Sequence, residues 1–466
     1  MKLYNTATRT KEEFQPGCFP KVKFYVCGPT VYDYIHIGNA RVFMVCDVIR
    51  RYLQYRGFEV EMVQNYTDID DKMIRRAEQE KVSVTELADY YITAYEQDAR
   101  QLKIRPADRC PRATEHIPQI VLLIEKLIQQ QLAYVSGGDV YFDTARFPRY
   151  GKLSQQEREE LLAGARIEPR EKKRNPLDFA LWKEQKPGEP AWNSPWGKGR
   201  PGWHIECSAM SMHYLGDTLD IHAGGSDLIF PHHDNEIAQS EGATGKPFCR
   251  YWLHVGYLNF EQRKMSKSLG NVLTVRQLVE EYNPYDLRFL VLSAHYRNPV
   301  IFGEALLKQA RLGRQRLQEL VDNLYHALDI AGDDRAAPSF LQLLSEARER
   351  FIAAMDDDFN TAGAVAVLFE LAREVNIYLK QGYPYQRTAV EKALEFYREA
   401  NEILDIIDFN SGLEPEKEKE ILGAIAAREE ARNNKDWAAA DRIREELLAR
   451  GIILEDTPHG VRWKLK

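Results

Sequence analysis

The chain has no long hydrophobic run, no secretion signal and no excess of positive charge. No stretch approaches the ~18 apolar residues that a membrane helix needs, and the opening MKLYNTATRTKEEF lacks an apolar core. We therefore expect a cytoplasmic protein that does not enter a membrane. A net charge of −7 over 466 residues argues against a protein that coats nucleic acid. It still allows an enzyme that binds one structured RNA through local basic patches.

Cysteine is also scarce. The six cysteines are too few for a disulfide scaffold and include no Cys-x-x-Cys pair. In a reducing cytoplasm, a cysteine with a function is more often a metal ligand than half of a disulfide bridge. The remaining composition, with 44% hydrophobic and 29% charged residues, is that of a globular protein of two to four domains.

The N-terminal part alternates strand and helix. An apolar run over residues 22–28 ends in Gly-Pro, and a segment with helical spacing of apolar residues then extends to Gly57. A second strand ends at Thr67, so the pattern predicts a βαβ unit in a parallel sheet. Ligands bind beyond the carboxyl ends of such strands. The residues at those positions are Cys27, Gly28, His36, Thr67 and Asp68.

The predicted fold is an α/β Rossmann-like nucleotide-binding catalytic domain with an insertion, followed by an α-helical bundle and a small C-terminal α+β domain. The alternation of strand and helix stops in the insertion and resumes after it. Long amphipathic segments without strand patterns then predict the bundle, and two short β-like runs predict a terminal hairpin. The predicted boundaries are 1–114 and 196–260 for the split catalytic domain, 115–195 for the insertion, 261–305 for a junction, 306–408 for the bundle and 409–466 for the C-terminal domain.

The first candidate for phosphate binding is His36-Ile37-Gly38-Asn39, where a helix is predicted to begin. A helix N-terminus offers unpaired N–H groups and a partial positive charge, and Gly38 lets a ligand approach the backbone closely. His36 could donate a hydrogen bond to a phosphoryl oxygen in the transition state. The alternative is a helix-capping turn with an incidental histidine, which the tetrapeptide alone favours.

The second candidate is the segment Lys264-Met265-Ser266-Lys267-Ser268. Two lysines three residues apart in a loop with Ser and Gly can neutralise the charge that leaves with pyrophosphate. A solvated basic loop is the better interpretation of any single lysine cluster. The two segments together, in this order and on opposite halves of an α/β fold, favour nucleotide chemistry.

The third candidate is a metal site. Cys27, Cys207, His232 and Glu236 supply thiolate, imidazole and carboxylate donors of the kind that bind zinc tetrahedrally. His232 and Glu236 are four residues apart, which places them on one face of a predicted helix. Six of the eleven histidines fall between residues 204 and 254. This clustering favours a metal site there, but it does not identify which histidine is the ligand. The alternatives are that both cysteines are buried apolar residues, or that the ligand is His233, His222 or His204.

The first two segments resemble the HIGH and KMSKS motifs of class I aminoacyl-tRNA synthetases, with Asn39 where the family usually has His. Beyond these motifs, the segments YVCGPTVYDYIHIGNAR, NYTDIDDK, RPGWHIECSAM, DIHAGGSDLIFPHHDNEIAQS and KMSKSLGN resemble cysteinyl-tRNA synthetases, in that family's order. The resemblance extends through MDDDFNT and covers essentially the whole chain.

This resemblance implies a role for each of the following residues. The zinc ligands would be Cys27, Cys207, His232 and Glu236. The substrate cysteine would contact Gly28, Thr67, Trp203, His222 and Asp227. ATP would contact His36, Gly38, Asn39, Lys264, Ser266 and Lys267, of which His36, Asn39, Lys264 and Lys267 would be catalytic.

The implied activity is a cysteine–tRNA ligase, in which ATP activates L-cysteine to cysteinyl-adenylate and the cysteinyl group is then transferred to tRNA(Cys). The implied cofactors are one Zn²⁺ per chain, which selects the thiol over the hydroxyl of serine, and Mg²⁺ with ATP. The C-terminal parts would bind the anticodon region, and we expect a monomer. Rival interpretations are a cysteine ligase of thiol-cofactor biosynthesis, a non-catalytic RNA-binding protein on the same fold, and a smaller nucleotidyltransferase.

Overall fold

The structure is a computed structural model that describes residues 1–156, 173–260, 263–264, 273–332, 338–381, 385–409, 415–457 and 460–465. Its strands are β1 Lys2–Asn5, β2 Thr10–Glu13, β3 Lys21–Val26, β4 Glu59–Gln64, β5 Ala133–Ser136, β6 Asp139–Phe142, β7 Phe179–Glu184, β8 Gly199–Pro201, β9 Leu219–Gly225, β10 Cys249–Val255, β11 Leu258–Phe260, β12 Arg263–Lys264, β13 Val300–Phe302, β14 Ile452–Thr457 and β15 Gly460–Leu465.

The α-helices within the same residues complete the element order. They are α1 Ile37–Tyr55, α2 Asp71–Glu80, α3 Val84–Gln101, α4 Ile117–Gln129, α5 Trp203–Leu215, α6 Asp234–Thr244, α7 Val275–Glu281, α8 Pro284–Leu292, α9 Glu304–Asp329, α10 Pro338–Asp356, α11 Thr361–Lys380, α12 Arg387–Leu404, α13 Pro415–Asn433 and α14 Trp437–Ala449. None of these helices is both long enough and apolar enough to cross a membrane.

A four-stranded parallel sheet in the order β10–β9–β3–β4 organises the catalytic part. Helix α1 connects β3 to β4, as the βαβ pattern predicts. The chain proceeds from β3 outward to β4 and from β9 outward to β10, so the direction of winding reverses between β3 and β9. A ligand crevice is expected at the carboxyl ends of the strands beside that reversal.

Buried charges fix the position of helix α1. The guanidinium of Arg41 is fully buried and donates to four backbone carbonyls, those of residues 256, 257, 296 and 298, at 2.6–3.2 Å. One turn and a half further on, Asp47 forms ion pairs with Arg288 at 2.8 Å and Arg51 at 2.9 Å. A buried charge is tolerated only when it is paired and hydrogen-bonded, so these contacts hold the helix in one position against the sheet.

The insertion contains an antiparallel sheet in the order β5–β6–β7–β8. Strands β5 and β6 form a hairpin over the segment LAYVSGGDVYFDT, and β7 and β8 extend the sheet from it. Strand β8 lies beyond residue 195, where the insertion was predicted to end. Buried side chains of α4, β6 and β7 pack together with Ile205 and Ala209 of α5 in one apolar cluster.

Four long helices, α9 to α12, lie where the sequence predicted a bundle over residues 306–408, and the last of them ends at Leu404. The chain divides into two compact units. The first comprises Met1–Arg314, Ser345–Glu370 and Ala400–Ile406, and the second comprises Gln315–Leu344, Leu371–Glu399 and Ile407–Lys466. Parts of the predicted 306–408 bundle therefore belong to each unit.

Within the second unit, α13, α14 and the predicted terminal hairpin β14–β15 form a small α+β structure. Its core is an apolar cluster of Ile421, Ile425, Leu447, Ile452 and Leu454. Each element contributes an apolar face that would otherwise be exposed, which accounts for their folding together.

Candidate active site and metal centre

A pocket of about 350 Å³ opens at the carboxyl ends of β3 and β9, where the winding reverses. Seven of the predicted site residues line it: Cys27, Gly28, His36, Gly38, Asn39, Trp203 and Asp227. The predicted residues Thr67 and His222 are buried and do not line it. Ser266 and Lys267 lie outside the described residues, as does the side chain of Lys264, whose backbone belongs to β12.

Gly28 stands at the closest approach of two strand ends. A Cβ at this position would lie 1.6 Å from the carbonyl oxygen of Asn65, which follows β4. The Gly28 N–H donates to Asn65 Oδ1 at 2.9 Å, and Asn65 Nδ2 donates to Thr67 Oγ1 at 3.3 Å. Only glycine fits this contact, and the buried Asn65 thereby links the pocket floor to Thr67 behind it.

The N-terminus of α1 forms one wall of the pocket. His36 is the N-cap, and its Nδ1 accepts the backbone N–H of Asn39 at 3.2 Å. The capping role considered for His36 is therefore present. Backbone bonds join this turn to the residues after the lysine-rich segment, from Ile37 N to Leu273 O at 3.3 Å and from Val275 N to Ile35 O at 3.0 Å. The residues that follow the second candidate segment thus contact this wall, whereas residues 265–268 of that segment lie outside the described part of the chain.

The four predicted metal ligands converge below this pocket. One donor atom from each of Cys27, Cys207, His232 and Glu236 lies within 4.8 Å of all the others. The two sulfurs are 4.0 Å apart, Cys27 Sγ is 3.5 Å from Glu236 Oε1, and His232 Nε2 is 3.1 Å from that same oxygen. All four residues are buried. Tetrahedral coordination of a metal ion requires four donor atoms this close to one another.

A second donor set shares Cys27 and Glu236 and adds His222 and His233. His233 Nε2 lies 3.4 Å from Cys27 Sγ, and His222 Nε2 lies 3.0 Å from Glu236 Oε2. His233 Nδ1 in turn meets His254 Nε2 at 2.8 Å. Geometry alone therefore does not decide between the two donor sets. His222 and His233, which the sequence analysis also considered as ligands, remain alternatives to the predicted ones.

The ionisable groups of this cluster shift one another's pKa values. A hydrogen bond from Cys27 lowers the pKa of the Cys207 thiol to about 6, whereas burial raises the pKa of Cys27 itself. Burial opposes the charge of Glu236, but His222 and His232 lower its pKa to about 2. Ionised sulfur and ionised carboxylate are the forms that bind a cation.

His232 does not belong to the helix on which it was predicted. Residues Ile229–His233 form a π-helical turn in which Phe230 is extended, and α6 begins only at Asp234. The cause is Pro231, because a residue before proline avoids helical backbone angles. The His232 side chain nevertheless lies beside Glu236, and the ring of Trp203 packs against it with centroids 4.3 Å apart.

Several residues of the site were not singled out by sequence reasoning. They are Asn65, His254, Trp252, Tyr32, Tyr34 and Lys72. Trp252 stacks on His222 with centroids 4.5 Å apart. Tyr32, Tyr34 and Lys72 line the pocket. The available signal was their position, because Asn65 directly follows β4 and Tyr32 and Tyr34 lie in the loop between β3 and α1, at the end of the sheet where ligands bind.

Comparison with known proteins agrees with this architecture. A family described as the tRNA synthetases class I (C) catalytic domain matches residues 13–312, the DALR domain matches 350–408, and the cysteinyl-tRNA ligase anticodon binding domain matches 415–463. A Mycobacterium tuberculosis methionyl-tRNA synthetase structure has a TM-score of 0.59 at 16% identity and covers 83% of this chain and 90% of its own. An Agrobacterium radiobacter LeuRS structure has a TM-score of 0.61 at 11% identity, with coverage of 84% and 85%.

The fold and the pocket therefore define a class I aminoacyl-tRNA synthetase. A cysteine–tRNA ligase of Geobacillus thermodenitrificans is 53% identical over 469 residues, covering 100% of this chain and 99% of the relative. One of Caldicellulosiruptor saccharolyticus is 52% identical, with 99% coverage of both chains. The chain belongs to the cysteine–tRNA ligase family.

Proposed function

We propose that the chain activates L-cysteine with ATP and transfers it to tRNA(Cys). One observation carries this proposal: Cys27 both lines the pocket and belongs to the buried cluster of donor atoms. A metal ion held by this cluster would therefore lie adjacent to a pocket that has a helix N-terminus suited to phosphate. A purely apolar pocket separates near-isosteres such as cysteine and serine by only about 10²-fold.

The proposed zinc ligands are Cys27, Cys207, His232 and Glu236. This set is favoured over the one with His222 and His233 because it contains two sulfurs, and zinc prefers thiolate donors. His222 then holds Glu236 from behind and His233 holds Cys27, as residues behind metal ligands commonly do. When bound, the zinc supplies a Lewis acid that prefers the substrate's thiol to a hydroxyl.

The remaining roles are assigned to residues around the pocket. Gly28, Thr67, Trp203, His222 and Asp227 form the cysteine site, with the Asp227 carboxylate receiving the substrate ammonium group. Gly28 and Trp203 contact the substrate from the pocket wall, whereas Thr67 and His222 support the floor from behind.

The phosphates of ATP are assigned to the N-terminus of α1 and to the lysine-rich segment. His36, Gly38 and Asn39 bind the α-phosphate, because N–H groups of a helix N-terminus attract an anion. Lys264, Ser266 and Lys267 hold the β- and γ-phosphates together with Mg²⁺. His36, Asn39, Lys264 and Lys267 are the catalytic residues of this proposal.

The reaction has two steps. The cysteine carboxylate attacks the α-phosphorus of ATP, and the bond to pyrophosphate breaks as the bond to the carboxylate forms. His36 and Asn39 donate hydrogen bonds to the oxygens that gain charge. The terminal ribose hydroxyl of the tRNA then attacks the carbonyl carbon of the adenylate and releases AMP, a step that proximity accelerates.

The wider assignments follow from the family. The partners are tRNA(Cys), ATP and L-cysteine, and we propose a cytoplasmic monomer. The match of residues 415–463 to an anticodon binding domain supports contact between this region and the anticodon.

The test is ATP–pyrophosphate exchange measured with and without cysteine, together with zinc content on the same sample. We expect exchange that requires cysteine, and one zinc ion per chain. Cys207→Ser should lose zinc and the preference for cysteine over serine. Cys46→Ser is the matched control, because Cys46 is equally buried but lies outside the donor cluster. Full zinc and full discrimination in Cys207→Ser would refute the ligand assignment.

A further inference from the structure

A group of tyrosines lies beside the mouth of the pocket and has no part in the chemistry described above. Tyr32 and Tyr34 line the pocket and are half-buried, and Tyr90 of α3 lies outside it with 57% of its surface exposed. The hydroxyls of Tyr34 and Tyr90 are 2.5 Å apart, so the two rings are joined at their polar ends. Tyr32, Tyr34 and Tyr90 are called the tyrosine platform below.

The platform is held firmly from beneath. Tyr91, which is buried, packs edge-on against Tyr34 at 5.3 Å and against Tyr90 at 5.1 Å between centroids. Arg276 lies over the ring of Tyr34 at 3.8 Å and donates to Asp98 of α3 at 3.1 Å. A rigid aromatic surface loses little conformational entropy when a ligand stacks on it.

The platform carries charges of both signs, so only part of it would attract an anionic ligand such as RNA. The ammonium of the exposed Lys72 lies 5.4 Å from the centre of the Tyr32 ring and faces the pocket. Asp33 lines the same pocket with the opposite charge. We therefore expect stacking to supply most of the affinity of a ligand here, with Lys72 contacting an occasional phosphate.

We propose that the tyrosine platform binds the unpaired 3′-terminal nucleotides of the tRNA and guides them into the pocket. This inference rests on the proposed function, which requires the 3′-terminal ribose to reach the adenylate. Unpaired RNA is recognised by stacking of its bases on aromatic side chains, with cations on the phosphates. The platform offers both, and it is continuous with the pocket that the 3′ end must enter.

The test separates the two steps of the reaction. Tyr90→Ala should leave cysteine-dependent ATP–pyrophosphate exchange unchanged, because that step needs no tRNA. It should lower kcat/KM for tRNA charging by about fivefold or more, the effect of losing one base–aromatic stack. Tyr90→Phe should charge tRNA nearly as well as the parent, because it keeps the ring.

A truncated tRNA then shows which part of the RNA is concerned. With intact tRNA, Tyr90→Ala should bind more weakly than the parent. With a transcript that lacks the unpaired 3′-terminal nucleotides, the two proteins should bind equally. Phe19→Ala is the control, because Phe19 is a 76%-exposed aromatic that precedes β3, at the opposite end of the sheet.

Each other outcome overturns the inference. Unchanged tRNA charging by Tyr90→Ala would show that the 3′-terminal nucleotides do not bind the platform. An equal loss of affinity for intact and truncated tRNA would show the same. A fall in exchange would instead place ATP there. A parent protein without cysteine-dependent exchange would overturn the proposed function and this inference with it, whereas intact exchange with unaffected charging would overturn this inference alone.

Discussion

The contact between Gly28 and Asn65 gives a sharp prediction for Gly28→Ala. The added Cβ would lie 1.6 Å from the Asn65 carbonyl oxygen, and real Cβ atoms essentially never come closer than 3.0 Å to such a neighbour. The two strand ends must therefore separate by at least the difference, 1.4 Å. Because both groups belong to the backbone, no side chain can rotate to relieve the clash.

This separation changes the floor of the pocket. Cys27 and the hydrogen bond from Gly28 N to Asn65 Oδ1 move with the strand end. A misplacement of about 1 Å can cost about 10²-fold in rate. We therefore expect kcat/KM for cysteine in ATP–pyrophosphate exchange to fall at least about a hundredfold, or about 2.7 kcal/mol.

The assay needs a control for the substitution itself. Gly423→Ala in α13 makes the same change where no atom lies within 4 Å of the added Cβ, so its exchange activity should equal that of the parent. Circular dichroism would confirm that Gly28→Ala is folded. A folded Gly28→Ala protein with the exchange activity of the parent would refute the argument from close approach.

Three further results are expected. Asp47→Ala leaves the fully buried Arg288 without its carboxylate partner. Urea titration should therefore show a loss of about 3–5 kcal/mol in the free energy of unfolding, and an unchanged unfolding midpoint would contradict this. Burial opposes the charge of Asp71, but Lys183 and Arg200 lower its pKa below the usual 3.8. Its stabilising contribution is therefore present above about pH 4 and is lost as the pH falls below that, and melting curves of Asp71→Asn should lack this acid-dependent component. Removal of zinc with a chelator, followed by assay in chelator-free buffer that contains Mg²⁺, should abolish cysteine-dependent exchange, and added Zn²⁺ but not further Mg²⁺ should restore it.

The elements that the sequence predicted well are those with a strong local pattern. The βαβ unit around α1 and the long helices α9 to α12 follow from apolar spacing that the tertiary structure does not override. Strand β8 has only three residues, and its sequence Gly-Arg-Pro has no alternation, so pairing with β7 alone makes it a strand. Strand β7 contains Phe-Ala-Leu-Trp, a short apolar run that suits strand and helix equally.

The sequence predicted those site residues whose type itself indicates a function, such as cysteine and histidine. Sparse cysteines together with histidines clustered between residues 204 and 254 indicated a metal centre, and the structure brings the predicted donors together. The assignment of ligands remains a prediction, since His222 and His233 lie beside the same carboxylate and thiol. Asn65 could not be found in this way, because its role comes from the packing of β3 against β4 rather than from its type.

The wide spacing of the four donors along the chain has a consequence for how the protein is made. Cys27 and Cys207 are 180 positions apart, and Cys27 and Glu236 are 209 positions apart. A nascent chain emerging at roughly 5–20 residues per second therefore presents Cys27 for about 10–40 s before Glu236 has been synthesised. For most of that interval, until Cys207 has been synthesised, the first thiol has none of its three partners. The full set of four donors therefore exists only after residue 236 has been translated, so an ion that needs all four can bind only at a late stage of synthesis of the catalytic part.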